Sequence, residues 1–158
     1  MTTIKEAAAD FLAAERIAVT GVSRAAANHG SNVVYTRLRD RGYGVVAVNP
    51  NAEQVEGDPA YPDLAAIPEG VDAVVIATRP EHAVETMREC AALGIGKVWM
   101  HRSVGGGSVS TEATQLGREH GITVIDGGCP LMFDPVADPF HKLMRPVLTW
   151  THKVPRRV

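Results

Sequence analysis

The chain has 158 residues, 45% apolar and 22% charged, a globular composition that excludes a disordered tract. Its 16 basic and 18 acidic residues leave a formal charge of -2, which argues against nucleic-acid binding by broad basic attraction. No apolar run approaches the roughly 20 residues that span a bilayer. The N-terminus, MTTIKEAAADF, has no basic region followed by a long apolar stretch, so a cytoplasmic chain without membrane association is expected.

A helix opens the chain: Thr3 and Glu6 have capping-box spacing, and Ile4, Ala8, Phe11 and Leu12 share a face. Ile17–Thr20 then reads as a buried parallel strand ending at Gly21. Ser31–Arg41 is helical, with Val34, Tyr35 and Leu38 inward, and Gly42 fits its stop. Val45–Val48 is a second strand, ended by Asn49-Pro50-Asn51. The irregular stretch beyond it leaves room for a short edge strand near Val55 and one helical turn at Asp63–Ala66.

Ala73–Ala77 is a third strand, and Pro80 suits the first turn of a helix carrying Ala83, Met87, Cys90 and Ala91 inward. Val98–Met100 is a fourth strand. Ser108 or Ser110 caps the next helix, with Glu112 in its first turn. Ile122–Ile125 is a fifth strand. In the tail, Phe140–Trp150 reads as a helix interrupted at Pro146, and Lys153–Val158 as loose. Alternation of strand and helix predicts an α/β, Rossmann-like, doubly wound parallel sheet of five main strands with flanking helices. One domain over residues 1–158 is expected, with a C-terminal extension from about 134.

In such sheets ligands bind beyond the carboxyl ends of the strands, where strand order reverses. Those ends carry Gly21-Val22-Ser23-Arg24 with the loop to Asn28-His29-Gly30-Ser31, then Asn49-Pro50, Thr78-Arg79-Pro80, His101-Arg102-Ser103 with Gly105-Gly106-Gly107, and Asp126-Gly127-Gly128-Cys129-Pro130. The arginines predict a locally positive edge. Gly21 permits close backbone approach, the helix after it offers free amides, and Ser23 and Arg24 add a hydroxyl and a charge; this pattern suits phosphate. A Gly-x-Gly-x-x-Gly fingerprint is missing, because positions 23 and 26 are Ser23 and Ala26, and the ribose-binding acid of NAD sites is replaced by Asn49-Pro50.

Six segments occur in order: IAVTGVSR (17–24), GYGVVAVNP (42–50), GDPAYPDLAAIPEGV (57–71), DAVVIATRP (72–80), KVWM (97–100) and GITVIDGGCP (121–130). Together they resemble the stand-alone coenzyme-A-binding domain family, whose fold is similar to the N-terminal domain of the succinyl-CoA synthetase alpha subunit. The resemblance covers about residues 10–133. It implies coenzyme A, or an acyl-CoA, in the switch-point cleft. Gly21, Ser23 and Arg24 would meet phosphates, with Val22 between them a further cofactor-binding candidate, Val48, Asn49 and Pro50 would flank the adenine or pantetheine, and Thr78 and Arg79 would line the other wall. The chain departs from the family at His101, where glutamine is frequent, at Arg102 and the glycine run after it, and at Gly127-Gly128, which replace an acidic-basic pair. His101 ends a strand and is a further candidate to face the cleft.

Acyl-CoA synthetases of that type also need a phosphorylatable histidine, a second alpha domain and an ATP-grasp partner, for which 158 residues leave no room. The expectation is therefore non-catalytic binding of a CoA thioester or nucleotide, as carrier, sensor or accessory subunit, with a homodimer or an acyl-CoA-using protein as partner. Two other readings stand beside it: a small NAD(P)-binding oxidoreductase, and a protein-interaction module with a vestigial cleft. The two cysteines, Cys90 and Cys129, are too few for a disulfide framework or a four-cysteine zinc site, and no metal site is read. Cys90 is read as structural, and Cys129 as a buried small apolar side chain in preference to a reactive thiolate.

Overall fold

In the computed structural model, residues 2–25, 29–103 and 106–158 are described. Ala26, Asn28 and Gly105, named above in the strand-end loops, lie outside the described residues.

Helix α1 (Ile4–Leu12) starts with a complete capping box: the Glu6 N–H donates to Thr3 Oγ1, and the Thr3 N–H donates back to the Glu6 carboxylate at 2.8 Å. Then come β1 (Arg16–Thr20), α2 (Gly30–Asp40), β2 (Gly44–Val48), β3 (Gln54–Val55), β4 (Asp58–Tyr61), β5 (Ala73–Ile76), α3 (Pro80–Ala92), β6 (Lys97–Met100), α4 (Thr111–Glu119) and β7 (Thr123–Asp126). A short 3-10 turn at Pro130–Met132 leads into α5 (Pro139–Trp150). Ser110 rather than Ser108 caps α4, its Oγ accepting the Ala113 N–H.

The seven strands form one sheet in the order β3-β4-β2-β1-β5-β6-β7, all neighbours parallel except β3 with β4. The five main strands are present, and a hairpin extends one edge. Only its β3 half was expected; β4 contains Pro59, a residue that disfavours interior strands but fits beside an edge. The hairpin turns at Glu56-Gly57, both with positive φ (51° and 80°). It is tied to α2 by Asn32 to Glu56 at 2.8 Å, Tyr35 to Asp58 at 2.8 Å and Arg39 to Asp58 at 2.7 Å. The Arg39 guanidinium, then the Tyr35 hydroxyl, hold the Asp58 carboxyl below the usual carboxylate range.

Side chains alternate across the strands. Ile17, Val19, Ala73, Val75, Trp99 and Ile125 face a core shared with α1, α2 and α5. Ala18, Val74, Ile76, Val98, Met100 and Val124 face a core shared with α3 and α4. The structure is thus doubly wound, and the switch point lies between β1 and β5. Trp99 is a core residue: its ring packs edge-on against Phe11 at 5.3 Å and its Nε1–H donates to the Gly127 carbonyl at 2.9 Å.

Three local expectations are corrected. Residues 63–66 form a turn, not a helical one; the Asp63 carboxylate accepts the Ala66 N–H at 2.8 Å and so satisfies the chain without helix. Helix α5 runs through Pro146 unbroken. The Asp138 cap accepts the His141 N–H, and Leu148 is buried, so the helix is held from both sides of the missing donor. Residues 153–158 are docked, not loose. Val154 is buried, the Gly128 N–H donates to the Lys153 carbonyl at 2.9 Å, and Val158 N–H reaches Thr2 at 3.1 Å. Gly127 accommodates this strap, since a Cβ there would lie 2.5 Å from the Lys153 carbonyl oxygen. The Gly127-Gly128 pair and the C-terminal extension therefore belong together. Among the described residues no helix is long and apolar enough to cross a membrane.

Candidate functional site

The carboxyl ends of β1, β2 and β5 open into a groove of about 970 Å³. Its floor begins at Gly21. The φ of +75° selects glycine, and a Cβ would meet the Ala77 carbonyl oxygen at 2.8 Å, so only glycine lets this turn lie against the end of β5. The turn is braced from every side. Gly21 N–H donates to the Val48 carbonyl at 3.1 Å, Ser31 Oγ donates to the Gly21 carbonyl at 2.9 Å, and buried Thr20 accepts the Ala77 N–H at 3.1 Å.

Seven of the ten residues expected in the site line this groove: Gly21, Ser23, Val48, Asn49, Pro50, Thr78 and Arg79. Their roles separate once the hydrogen bonds are traced. Asn49 is engaged internally, its Nδ2 donating to the Val22 carbonyl and its Oδ1 accepting the Asn51 N–H, both at 2.8 Å. The Ser23 N–H is likewise taken, by Asn32 at 2.8 Å. Ser23 Oγ accepts the Ala25 N–H at 3.1 Å, which orients its hydroxyl and leaves its proton to donate. Thr78 differs from all of these. Its Oγ1 is, among the described residues, the buried side-chain nitrogen or oxygen left without a hydrogen-bond partner, a state that costs free energy until a donor or acceptor arrives.

The remaining three lie elsewhere. Val22 is fully buried and offers only backbone. Arg24 is exposed and lines a shallow hollow beside the groove with Ser23, Asn49 and Asn51. The groove does not include His101. It backs the first turn of α2, where a Cβ on Gly30 would lie 3.4 Å from its Cε1. Burial first, then the charge of His141, pushes its pKa down to about 4, so the ring is neutral at pH 7.

The edge is not uniformly positive as expected. Arg79 is open to solvent, 82% exposed and only 3.9 Å from Glu81. The far wall carries Asp63, Glu85 and Glu89, so charge is polarised along the groove. Glu89 also braces the structure, accepting the Leu64 N–H at 3.1 Å. The far wall, His82, Glu85, Thr86 and Glu89, is a polar stripe of α3 that the sequence reading missed; its i, i+3, i+4, i+7 spacing right after a strand end is the signal that could have found it. Asn32 and Glu56, which hold the Ser23 turn, were also missed, because their pairing joins a helix to a hairpin 24 residues away.

Both thiols are free and buried, and desolvation pushes each up to about 12. Neither is a thiolate at neutral pH, and Cys129 is a core side chain among Val154, Leu131 and Phe133.

Two features of the groove suit a ligand: the close backbone approach that Gly21 permits and the unpaired Thr78 hydroxyl. The profile of the CoA binding domain family matches residues 15–135. An ADP-forming acetate–CoA ligase II of Archaeoglobus fulgidus is 30% identical over 123 residues, 73% of this chain but 18% of the ligase. The chain thus spans under a fifth of that relative. An uncharacterized protein of Bacillus subtilis is 30% identical over 115 residues, 73% of this chain and 82% of that protein. The solved structure of a hypothetical protein from Pyrococcus horikoshii OT3 superposes with a TM-score of 0.69 at 26% identity, covering 76% of this chain and 82% of that one. A profile match over residues 15–135, with a relative 30% identical and covered to 82% of its length, makes this chain a member of the CoA binding domain family.

Proposed function

We propose that this chain holds coenzyme A, or an acyl-CoA, in the groove beyond β1, β2 and β5, without itself catalysing acyl transfer. The observation that carries the reading is the buried, unpartnered Oγ1 of Thr78, a residue that lines the same groove as the Gly21 turn in a chain of this family. The Gly21–Arg24 turn acts as the phosphate-binding loop, with Ser23 Oγ donating and Arg24 supplying charge. Pro50 and Val48 give the apolar surface for the adenine or pantetheine. The chain acts as a carrier, sensor or accessory subunit in acyl-CoA metabolism, serving an acyl-CoA-using partner. Free, buried cysteines suit a reducing cytoplasm.

Thermal shift and calorimetry with CoA, acetyl-CoA, ADP, NAD and NADP test this reading. A ligand at 100 times its dissociation constant adds about 2.7 kcal/mol to stability. CoA or acetyl-CoA is expected to raise Tm and NAD to leave it unchanged. Arg24→Ala is expected to weaken CoA by about 1.5–3 kcal/mol, as a charged contact does. Stabilisation by NAD without CoA would replace this proposal with a dinucleotide site.

A further inference from the structure

Helix α5 carries an apolar face that the described residues do not cover. Phe140, Leu143, Val147 and Trp150 are 66, 77, 57 and 79% exposed. Their 3-4-3 spacing places them in one row along the helix. The helix has a second apolar side: Leu148 is buried in the core, and Met144 packs against it. The exposed row is therefore surplus to the packing of α5 on its own domain, and a contiguous apolar surface of this size marks a contact site.

Charge narrows the occupant. The positions flanking the row are Pro139, Met144, Pro146 and Thr151, none of them ionisable. The two cations of the helix are committed away from it. Lys142 pairs with Asp134 at 3.1 Å, while Arg145 lies over the Phe133 ring at 5.2 Å and donates to the Met132 carbonyl. A helix that lies on anionic lipid sets its cations beside the apolar face for the headgroups; this one does not. An uncharged border fits a second apolar row.

The order of the side chains identifies that row. Phe140 and Trp150 stand five positions either side of Arg145, and Leu143 and Val147 two positions either side. A row with this symmetry is complementary to itself when reversed. A two-fold axis at the level of Arg145 sets Phe140 against the partner's Trp150 and Leu143 against the partner's Val147, as an isologous interface requires. We infer that a second copy of this chain docks its own α5 on this row, antiparallel. The eight side chains together remove on the order of 1,000 Å² from water, the lower bound of a specific interface.

Sedimentation equilibrium of the full chain, from about 1 μM to about 1 mM to bracket a weak dimer, is expected to reach twice the 16.9 kDa chain mass. Leu143→Glu puts a charge at the centre of the seam and is expected to hold the chain at monomer mass with an unchanged circular dichroism spectrum, since position 143 faces solvent in the single chain. Register has its own readout. Leu143→Cys and Val147→Cys proteins, mixed and oxidised, are expected to cross-link to each other several-fold more than either does to itself; buried Cys90 and Cys129 do not compete. A chain that stays monomeric throughout, a dimer that survives Leu143→Glu, or preferred 143–143 cross-links would each overturn the inference. So would binding of a monomeric chain to vesicles of anionic phospholipid that Leu143→Glu abolishes. None of these readouts involves CoA, so the result is independent of the groove.

Discussion

The side-chain amide of Asn32 pairs with both backbone groups of Ser23: its Oδ1 accepts the Ser23 N–H and its Nδ2 donates to the Ser23 carbonyl, each at 2.8 Å. Asn32 is 2% exposed, and Glu56 accepts a second proton of its amide at 2.8 Å. A helix side chain thus fixes the turn that carries the proposed phosphate contacts, and a hairpin carboxylate fixes the side chain. Asn32→Ala leaves the Ser23 carbonyl and amide without these partners and is expected to cost about 1–3 kcal/mol of stability. Asn32→Asp keeps the shape but sets a carboxylate against Glu56 and removes the donor to the Ser23 carbonyl; it is expected to weaken CoA binding, and Glu56→Gln is expected to restore part of the loss. Urea denaturation and calorimetry check both.

Thr78 separates ligand binding from folding. Thr78→Val removes a buried hydroxyl that satisfies nothing in the free chain. Stability without ligand is expected to hold or rise by up to about 1 kcal/mol, while CoA affinity falls roughly five-fold, the worth of one neutral hydrogen bond. A loss of stability with unchanged affinity would show that the hydroxyl serves the fold alone.

Acid stability is expected to depend on His101. Its folded pKa of about 4 lies below the ordinary 6.5, so the unfolded chain binds the extra proton. The stabilisation is complete above pH 6.5 and is lost as pH falls from there towards 4. It amounts to on the order of 3 kcal/mol. His101→Gln removes the titrating group, so the denaturation midpoint is expected to fall less steeply over that interval than in the parent. The same slope in both chains would assign the acid sensitivity over that interval to other groups.

The strap formed by residues 153–158 is expected to depend on Gly127. Gly127→Ala drives a methyl into the Lys153 carbonyl and holds alanine at a φ of 144°. A loss of about 2 kcal/mol is expected. Released packing around Val154 would also expose Cys129, which shares its core. Ellman's reagent is expected to leave the native parent unlabelled at pH 7.5, and to label Gly127→Ala through Cys129 faster than through Cys90.

Periodicity made the five main strands, four of the helices and the Gly21 turn legible, because each is written in neighbouring residues: an apolar run between turns, a capping pair three apart, a glycine after a strand. The seven groove-lining residues among the expected ten were legible for the same reason, since each sits at or just past the end of an apolar strand. The misleading signals were local in character too. Pro59 hid β4, Pro146 suggested a break in α5, and the polar 153–158 segment gave no pattern.

The sequence by itself determined the order of strand and helix, the alternation that splits the side chains between two cores, and the glycine that opens the groove; short-range sterics and hydrophobic period suffice for these. Only the tertiary structure decided which polar groups are spent and which remain. The Asn49 Nδ2 is taken by the Val22 carbonyl 27 residues away and the Ser23 amide by Asn32 of α2, the Thr78 hydroxyl is left unpaired, and His101 lies behind α2 instead of in the groove. The reason is that a buried donor or acceptor must be satisfied by whatever the fold brings within about 3 Å, and that neighbourhood is set by packing across the sheet rather than by position along the chain.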